Sequence, residues 1–207
     1  MQQHWETVYR SKNPAEVSWY CPHLETSIAM IERASAGNRA ASVVDIGGGA
    51  STLVDDLLAL GYQDITVLDI SDAALNVAQE RLGEMGKCVR WMGANLLECD
   101  LPEKSFDIWH DRAVFHFLTE PADRLAYVRQ ARYSLRPGGH LIVATFGPEG
   151  PNRCSGLDTV RYDSTSLVAE FGPQFRLVES ATELHNTPFG AIQQFLYCHL
   201  VLSQSSS

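Results

Sequence analysis

Three consecutive glycines between a buried strand and a helix constrain the fold of this chain more than any other feature. Residues 42–46 (SVVDI) form a short β-branched run, and the glycines at 47–49 follow it directly. Residues 52–60 then carry leucines at helical spacing and end at Gly61. Because glycine has no Cβ, it allows a sharp turn and lets a ligand lie against the backbone. The pattern predicts a strand, a tight ligand-binding turn and a helix.

Further strand–helix units follow along the chain. Strand-like runs occupy residues 65–70, 88–92, 106–110 and 140–146, and helical patterns occupy residues 24–36, 72–82 and 123–135. This alternation is typical of a parallel sheet with helices on both faces. Residues 136–139 (RPGG) place Pro and Gly where a type II turn favours them, so a turn is predicted before the last of these strands.

The final third of the chain has a different pattern. Two long strand-like runs, residues 175–183 and 193–202, are separated by a turn region at 186–190. Consecutive strands joined by a short turn pair in the antiparallel sense. We expect this pair to extend one edge of the sheet.

The composition is that of an ordinary globular domain and excludes several classes of partner. Of 207 residues, 45% are hydrophobic and 20% are charged, and the net charge is −9. Nucleic acids and anionic membranes are bound by basic patches, so we expect neither partner for this acidic chain. Five cysteines without a C-x-x-C pair, and no apolar stretch of signal-peptide or membrane-spanning length, predict a protein of the reducing cytoplasm.

Acidic residues on both sides of the glycine turn narrow the choice of ligand. Thr52 stands where the dinucleotide-binding fingerprint has its third glycine, and the phosphate-loop motif is absent. Asp45 precedes the glycines, and Asp69 ends the second strand-like run. A carboxylate at the end of that strand can accept both hydroxyls of a ribose, and Asp45 can meet an ammonium group. A ligand with a ribose and an amino acid but no diphosphate therefore fits better than NAD.

The chain resembles the class I S-adenosylmethionine-dependent methyltransferases. The blocks that carry the resemblance follow in that family's order: VVDIGGGAS (43–51), TVLDIS (66–71), GANLLE (93–98), FDIWHDRAVFHFL (106–118) and LRPGGHLIVATF (135–146). The resemblance implies an α/β fold with a Rossmann-like seven-stranded sheet, mostly parallel with an antiparallel last strand, and helices on both faces. It also implies an N-terminal helical lid (1–40), an S-adenosylmethionine-binding domain (41–203) and a loose tail (204–207).

The same resemblance implies how S-adenosylmethionine is held. The methionine portion lies in the glycine turn, the ribose on an aspartate, and the adenine against the segments after the second and third strands. The implied cofactor-binding residues are Asp45, Gly47, Gly48, Gly49, Asp69, Ile70, Asn95, Leu96 and His110. The chain departs from the family pattern at Ser51, which replaces a glycine, and at Asn95, which replaces an acid.

The candidate catalytic residues come from the segment after the fourth strand, where the family places its reacting groups. His110 or His116 is predicted to act as a base or orienting group, and Asp111 to take part in catalysis or fix the substrate together with Arg112. The alternative is structural: Asp111 pairs with Arg112, and His116 caps or packs. The spacing of the two histidines and the aspartate matches no metal-ligand motif, so no metal is expected.

Other candidates are predicted to form a lid and a substrate site. Large aromatic residues crowd the N-terminal region, and a loop rich in Gly and Pro follows the fifth strand at the ligand-binding edge. The predicted lid and substrate residues are Trp5, Tyr9, Trp19, Tyr20, Arg112, Arg153, Cys154 and His185. The alternatives are that the aromatics only pack the first helix, that Cys154 is an ordinary loop cysteine, and that His185 lies at the surface or core edge.

These features predict a methyltransferase that acts on a small molecule. The size and layout are similar to those of thiol, thiopurine and tellurite methyltransferases, so a soft nucleophile such as a thiol, hydrogen sulfide or a chalcogen or metalloid species is the first choice. A thiol also needs little help from a base. The alternatives are a carboxylate or hydroxyl acceptor clamped by Arg112 or Arg153, a protein lysine, and a non-catalytic module that binds S-adenosylmethionine for a partner.

Overall fold

A computed structural model describes residues 1–11, 13 and 16–204. Its helices are α1 (Gln2–Ser11), α2 (Glu25–Ser35), α3 (Leu53–Ala59), α4 (Asp72–Leu82), α5 (Pro121–Ser134) and α6 (Ser164–Phe171), with short 3-10 helices at Gly83–Cys88 and Phe115–Phe117. Its strands are β1 (Ser42–Ile46), β2 (Asp64–Asp69), β3 (Val89–Gly93), β4 (Phe106–Arg112), β5 (Leu135–Phe146), β6 (Arg153–Cys154), β7 (Leu157–Asp158), β8 (Phe175–Asn186) and β9 (Ile192–Leu202). Of the predicted loose tail, residues 205–207 lie outside the described part.

Seven strands form one sheet in the order β3-β2-β1-β4-β5-β9-β8. The five strands β1 to β5 are parallel, whereas β9 runs antiparallel to both of its neighbours, β5 and β8. The predicted fold class is therefore confirmed. Strand β1 pairs with β2 on one side and β4 on the other, so the chain leaves this point in opposite directions, and a ligand crevice opens at the carboxyl ends of the strands.

The sheet separates two hydrophobic cores because successive side chains of a strand point to opposite faces. In β1, Val43 packs in the core covered by α1 to α4, and Val44 packs in the core covered by α5 and α6. The neighbouring strand β4 divides in the same way, with Ile108 on the first face and Trp109 on the second. All five residues of β1 are buried, which explains its continuous apolar run.

Gly138 has a φ of +79°, as the third residue of the predicted type II turn at 136–139 requires, but these residues bulge within a continuous strand and do not precede it. Strand β5 already begins at Leu135, which pairs with Phe106, and regular pairing resumes between Ile108 and His140. Arg136 forms an ion pair of 2.6 Å with Asp107 of β4 and so holds the bulge against its neighbour. The proline and glycines therefore bend one strand and do not separate two elements.

Candidate functional site

The glycine turn is packed so tightly that it requires glycine. The N–H groups of Gly47 and Gly48 both donate to the carbonyl oxygen of Leu68, at 2.7 and 3.3 Å, which ties the turn to β2. Gly47 has a φ of +67°, and a Cβ there would collide with Cγ2 of Val114. A Cβ on Gly49 would lie 2.5 Å from Oδ2 of Asp69. The turn therefore brings the ends of β1, β2 and β4 together.

Two adjoining cavities open at this edge of the sheet. The larger measures about 300 Å³ and the smaller about 40 Å³. Both are lined by Tyr9, Trp19, Gly47 and Arg112, so they meet beneath the N-terminal aromatics. Of the predicted cofactor residues, the larger cavity is also lined by Asp69, Ile70, Asn95 and Leu96, and the smaller by Asp45, Gly48 and His110. Gly49 lines neither cavity and supports the turn from behind.

At the smaller cavity, a hydrogen-bonded chain holds Asp45. Nδ1 of His110 lies 2.7 Å from Oδ1 of Asp45, and Nε2 of the same ring lies 2.9 Å from Oγ of Ser27. All three residues are buried. The second carboxylate oxygen of Asp45, Oδ2, has no hydrogen-bond partner among the described residues. A buried acceptor without a partner is costly, so this oxygen is suited to a ligand that brings a donor.

At the larger cavity, Asp69 is buried at the end of β2. Its Oδ1 accepts a hydrogen bond of 2.8 Å from the backbone of Ser71. Burial, together with the nearby carboxylates of Asp45 and Glu6, raises the pKa of Asp69 to about 7 despite the hydrogen bond. Burial also raises the pKa of Tyr9, and the negative charge of nearby Asp69 acts in the same direction. The acid is therefore held in a dry environment that favours a ligand with hydroxyl donors.

The N-terminal aromatics both pack against the domain and line the cavities. Trp5 is buried in the core and meets Trp19 and Phe117 edge to face, with ring centroids 5.6 and 5.2 Å apart. Tyr9 packs against Trp19 at 6.3 Å, and Tyr20 lines the smaller cavity. The packing interpretation and the lid interpretation are therefore compatible, since Tyr9 and Trp19 pack against each other and also line both cavities.

Two of the three predicted catalytic residues lie away from the cavities. Asp111 is fully buried and accepts hydrogen bonds from the backbone of Val114 and Phe115 and from the hydroxyl of Tyr127. Burial raises the pKa of Asp111 to about 6. These contacts fasten the turn after β4, so the prediction of a catalytic role for Asp111 is corrected to a structural one, and its predicted pairing with Arg112 does not form.

His116 is the second of these residues. Its ring stacks on Phe146 at 4.3 Å, and Nδ1 accepts a hydrogen bond of 3.1 Å from the backbone N–H of the same residue. Burial lowers the pKa of His116 to about 3, so the ring is neutral. His116 lines neither cavity, and the structural alternative describes its position.

The predicted substrate residues separate into two groups. Arg112 and Cys154 line the larger cavity, and the thiol of Cys154 lies 3.9 Å from Oγ of Ser18. Arg153 lies on the exposed side of the β6–β7 hairpin, paired with Asp158 at 3.0 Å, and is corrected to a surface residue. Nε2 of His185 lies 2.9 Å from the carbonyl oxygen of Ser18. His185 lines neither cavity, which agrees with the alternative that it lies at the edge of the core.

Sequence reasoning missed several residues around the site. Ser27 lies on α2, and Glu183, Phe195 and Tyr197 lie on the last two strands. The hydroxyl of Tyr197 lies 3.4 Å from Oγ of Ser27 and accepts a hydrogen bond of 3.0 Å from Nε of Arg112. These residues carry no motif. The pairing of β5 with β9 brings Phe195 to the larger cavity and Tyr197 to Arg112.

Within the part of the chain that the structure describes, no helix combines the length and apolar character needed to cross a membrane. Across the same described residues, no group of three or more His, Cys, Asp or Glu side chains is arranged to hold a metal ion.

Comparison with known proteins agrees with this geometry. Residues 43–139 match the family model of a methyltransferase domain. The chain is 29% identical over 129 residues to malonyl-[acyl-carrier protein] O-methyltransferase of Paenibacillus sp. (strain JDR-2), covering 60% of this chain and 46% of that protein. It is 25% identical over 139 residues to the mouse (Mus musculus) eEF1A lysine and N-terminal methyltransferase, covering 67% of this chain and 19% of that protein. The chain thus spans less than half the length of these two relatives.

A solved structure extends the similarity to the whole fold. It comes from work on the conversion of a disulfide bond into a thioacetal group during echinomycin biosynthesis. It superposes with a TM-score of 0.78 and 19% identity, covering 100% of this chain and 94% of that one. At this identity the likeness concerns the fold. In the matched domain, the strand order and the glycine turn, the chain is similar to the class I S-adenosylmethionine-dependent methyltransferases.

Proposed function

We propose that this protein transfers the methyl group of S-adenosylmethionine to a small-molecule acceptor. The observation that carries the proposal is the pair of joined cavities at the glycine turn, one with the unpartnered Oδ2 of Asp45 and the other with the buried Asp69. A donor with an ammonium group and a ribose diol supplies hydrogen-bond donors for both carboxylates. This chemistry fits the residues present.

In this proposal, each part of S-adenosylmethionine contacts a different set of residues. Asp45 and the backbone of Gly48 hold the amino-acid end in the smaller cavity, and Asp69 holds the ribose hydroxyls in the larger one. Ile70 and Leu96 offer apolar surface to the adenine, and Asn95 offers an amide to its edge. The Oδ1 of Asn95 accepts a hydrogen bond of 3.1 Å from the backbone of Leu97, which leaves its NH₂ group to face the ligand.

The bound donor supplies a sulfonium methyl group that is already electrophilic. The chain must therefore align the acceptor with it and exclude water. Trp5, Tyr9 and Trp19 form an aromatic roof over the cavities that serves both purposes. Alignment of two reactants can lower a barrier by about 7–11 kcal/mol, so no strong catalytic base is required.

The acceptor is best described as a soft nucleophile, such as a thiol, hydrogen sulfide or a chalcogen or metalloid species. Among the described residues that line the cavities, His110 is the one histidine, and both of its ring nitrogens are already engaged. A site without a free histidine favours an acceptor that reacts with little help from a base. The superposed protein from echinomycin biosynthesis is itself connected with chemistry at a disulfide.

Other acceptors have weaker support. A carboxylate would need no base either, and Arg112 lines the cavity that would receive it. A protein lysine, the substrate named for the mouse relative, must lose a proton before it reacts and must pass beneath the aromatic roof. A non-catalytic binding module would need the donor site alone and would leave the larger cavity without a use.

The test begins with calorimetry on the full chain. We expect micromolar binding of S-adenosylmethionine that is lost in Asp69→Ala and retained in the surface control Asp158→Ala. Absence of binding to the wild type would refute the proposal. Product identification with thiols, hydrosulfide, selenite, tellurite, arsenite, carboxylic acids and a lysine peptide then defines the acceptor. Methylation of carboxylic acids alone would contradict the soft-nucleophile assignment, and donor binding without any product would favour the binding module.

A further inference from the structure

The guanidinium of Arg112 is buried, and one of its three nitrogens has no hydrogen-bond partner among the described residues. Its side chain is 6% exposed. Nε donates to the hydroxyl of Tyr197 and Nη1 to the carbonyl oxygen of Trp19, each at 3.0 Å. The guanidinium carbon lies 4.3 Å from the ring centroid of Phe195. Two hydrogen bonds and an aromatic face therefore hold the group in one orientation.

The remaining nitrogen, Nη2, has no hydrogen-bond partner within residues 1–11, 13 and 16–204. Its nearest acid is Glu183, whose Oε1 lies 3.7 Å away, beyond hydrogen-bond distance. The side chain of Glu183 is 24% exposed, so it can turn toward solvent. A buried cation with a free donor and a loosely paired acid is unusual, because buried charges are normally fully paired.

Arg112 lines both cavities, and its three nitrogens have different neighbours. Nε is linked through Tyr197 and Ser27 to His110 beside the donor-side acid Asp45. Nη2 instead lies nearest to Glu183 on β8. Phe195, on which the guanidinium stacks, lines the larger cavity and not the smaller one, so Nη2 is assigned to the acceptor side of the larger cavity.

We propose that Nη2 of Arg112 is an anion site for the methyl acceptor and that Glu183 occupies its place until the acceptor binds. The acceptor then carries an anionic group, such as a thiolate or a carboxylate, on an otherwise apolar body. This assignment rests on the proposed function, and it deepens that function by naming the charge of the acceptor. Neutral amines and cations bind weakly in this proposal, because neither can take the place of the Glu183 carboxylate beside the guanidinium.

The apolar wall of the cavity suits such an acceptor. Phe117, Phe146 and Phe195 line the larger cavity together with Cys154. An anion bound by a guanidinium in a dry aromatic setting forms a stronger hydrogen bond than it does in water. The guanidinium charge favours a thiolate over a thiol, whereas the dry surroundings oppose ionisation. A thiol that has already lost its proton to solvent therefore binds as the thiolate and needs no base in the site.

The experiment measures binding and needs no turnover. The full chain, saturated with S-adenosylhomocysteine, is titrated with sodium benzoate, sodium acetate and sodium hydrosulfide, and with benzamide as the neutral counterpart of benzoate. We expect benzoate to bind about tenfold or more tightly than benzamide, as a charge-assisted hydrogen bond would produce. We expect Arg112→Gln to abolish this difference and Arg112→Lys to retain part of it.

Glu183→Gln provides the matched variant. It removes the competing carboxylate and keeps the shape, so we expect it to strengthen benzoate binding by a few-fold and leave the affinity for S-adenosylhomocysteine unchanged. If Arg112→Gln fails to fold, this variant and Arg112→Lys still decide the question. Equal binding of benzoate and benzamide, no binding of any of the three anions, or weaker benzoate binding in Glu183→Gln would overturn the inference.

Donor affinity distinguishes this failure from failure of the proposed function. If S-adenosylhomocysteine does not bind to the wild type, the proposed function itself fails. If it binds to the wild type and its affinity collapses in Arg112→Lys while anion selectivity is unchanged, the guanidinium serves the carboxylate of the donor. That result would overturn the assignment to the acceptor.

Discussion

Asp45 and His110 form a buried pair beneath the glycine turn, with 2.7 Å between Oδ1 of the acid and Nδ1 of the ring. Ser27 engages the other ring nitrogen at 2.9 Å. A histidine held at both nitrogens is poorly suited to move a proton to or from a substrate. Its position instead fixes one oxygen of Asp45 and leaves Oδ2 turned to a ligand. We therefore assign His110 to positioning the donor-binding acid.

The first prediction concerns replacement of this histidine. His110→Ala leaves Oδ1 of Asp45 without its partner, and a buried unpaired group costs about 1–3 kcal/mol, while Ser27 keeps only its hydrogen bond to Tyr197. We expect a lower Tm and a donor Kd raised about tenfold, because Asp45 is no longer held. His110→Asn keeps an NH₂ donor for Asp45 and should lose less of both. The Kd is measured by calorimetry and the Tm by thermal unfolding.

The opposite outcome would restore a catalytic role. If His110→Ala keeps the donor affinity and loses kcat most sharply at low pH, the ring acts as a base. Ser27→Ala is the control, since it removes one hydrogen bond of the ring and should cost about 1 kcal/mol.

The second prediction is a pH dependence of donor binding. Burial raises the pKa of Asp69 to about 7, and ribose hydroxyls donate to its ionised form. Ionisation rises from about one tenth at pH 6 to about nine tenths at pH 8, so the affinity for S-adenosylhomocysteine should increase about tenfold. Calorimetry in two buffers of different ionisation enthalpy should also detect release of a proton on binding.

The same shift determines how Asp69 affects stability. The folded donor-free protein keeps Asp69 protonated more readily than the unfolded chain does, so its contribution to stability is present at low pH. That contribution is lost as the pH rises from 3.8 through about 7. Asp69→Asn should remove this loss and flatten the pH dependence of both stability and residual donor binding. A flat affinity profile in the wild type would contradict the shifted pKa.

The third prediction compares two glycines with positive φ. Gly47 has a φ of +67° and no room for a Cβ because of Val114, whereas Gly61 has a φ of +88° and nothing within 4 Å. Gly61→Ala should cost about 1–2 kcal/mol from the backbone conformation alone. Gly47→Ala should cost clearly more and abolish donor binding, because the turn must also move away from Val114. Equal unfolding free energies for the two variants would contradict the packing argument.

The fourth prediction concerns the aromatic roof. Trp5 is buried against Trp19 and Phe117, so Trp5→Ala should reduce the unfolding free energy by about 3–5 kcal/mol. Tyr133 is 51% exposed on α5, and Tyr133→Ala should change stability by less than about 0.5 kcal/mol. Denaturant unfolding of both variants measures the difference. A stability loss as small as that of the control would show that the N-terminal helix is not part of the core.

Local patterns in the sequence were sufficient for the sheet and for the two acids at its edge. Five parallel strands, the glycine turn and the pair Asp45 and Asp69 follow from residue spacing, because burial and backbone geometry act on neighbours along the chain. The RPGG segment is expected from its sequence to precede the last parallel strand. Gly138 has the positive φ of the predicted turn, but pairing of Leu135 with Phe106 and the ion pair of Arg136 place the segment inside one strand.

The tertiary structure alone decided which polar residues face a ligand. His110, Asp111 and Arg112 are consecutive in the sequence, yet the first holds Asp45, the second fastens a buried turn, and the third reaches Tyr197 on β9. Alternation along a strand separates neighbours onto opposite faces, and partners such as Ser27, Glu183 and Tyr197 come from distant segments. Their burial and hydrogen bonding depend on contacts between elements, which no spacing within one segment encodes.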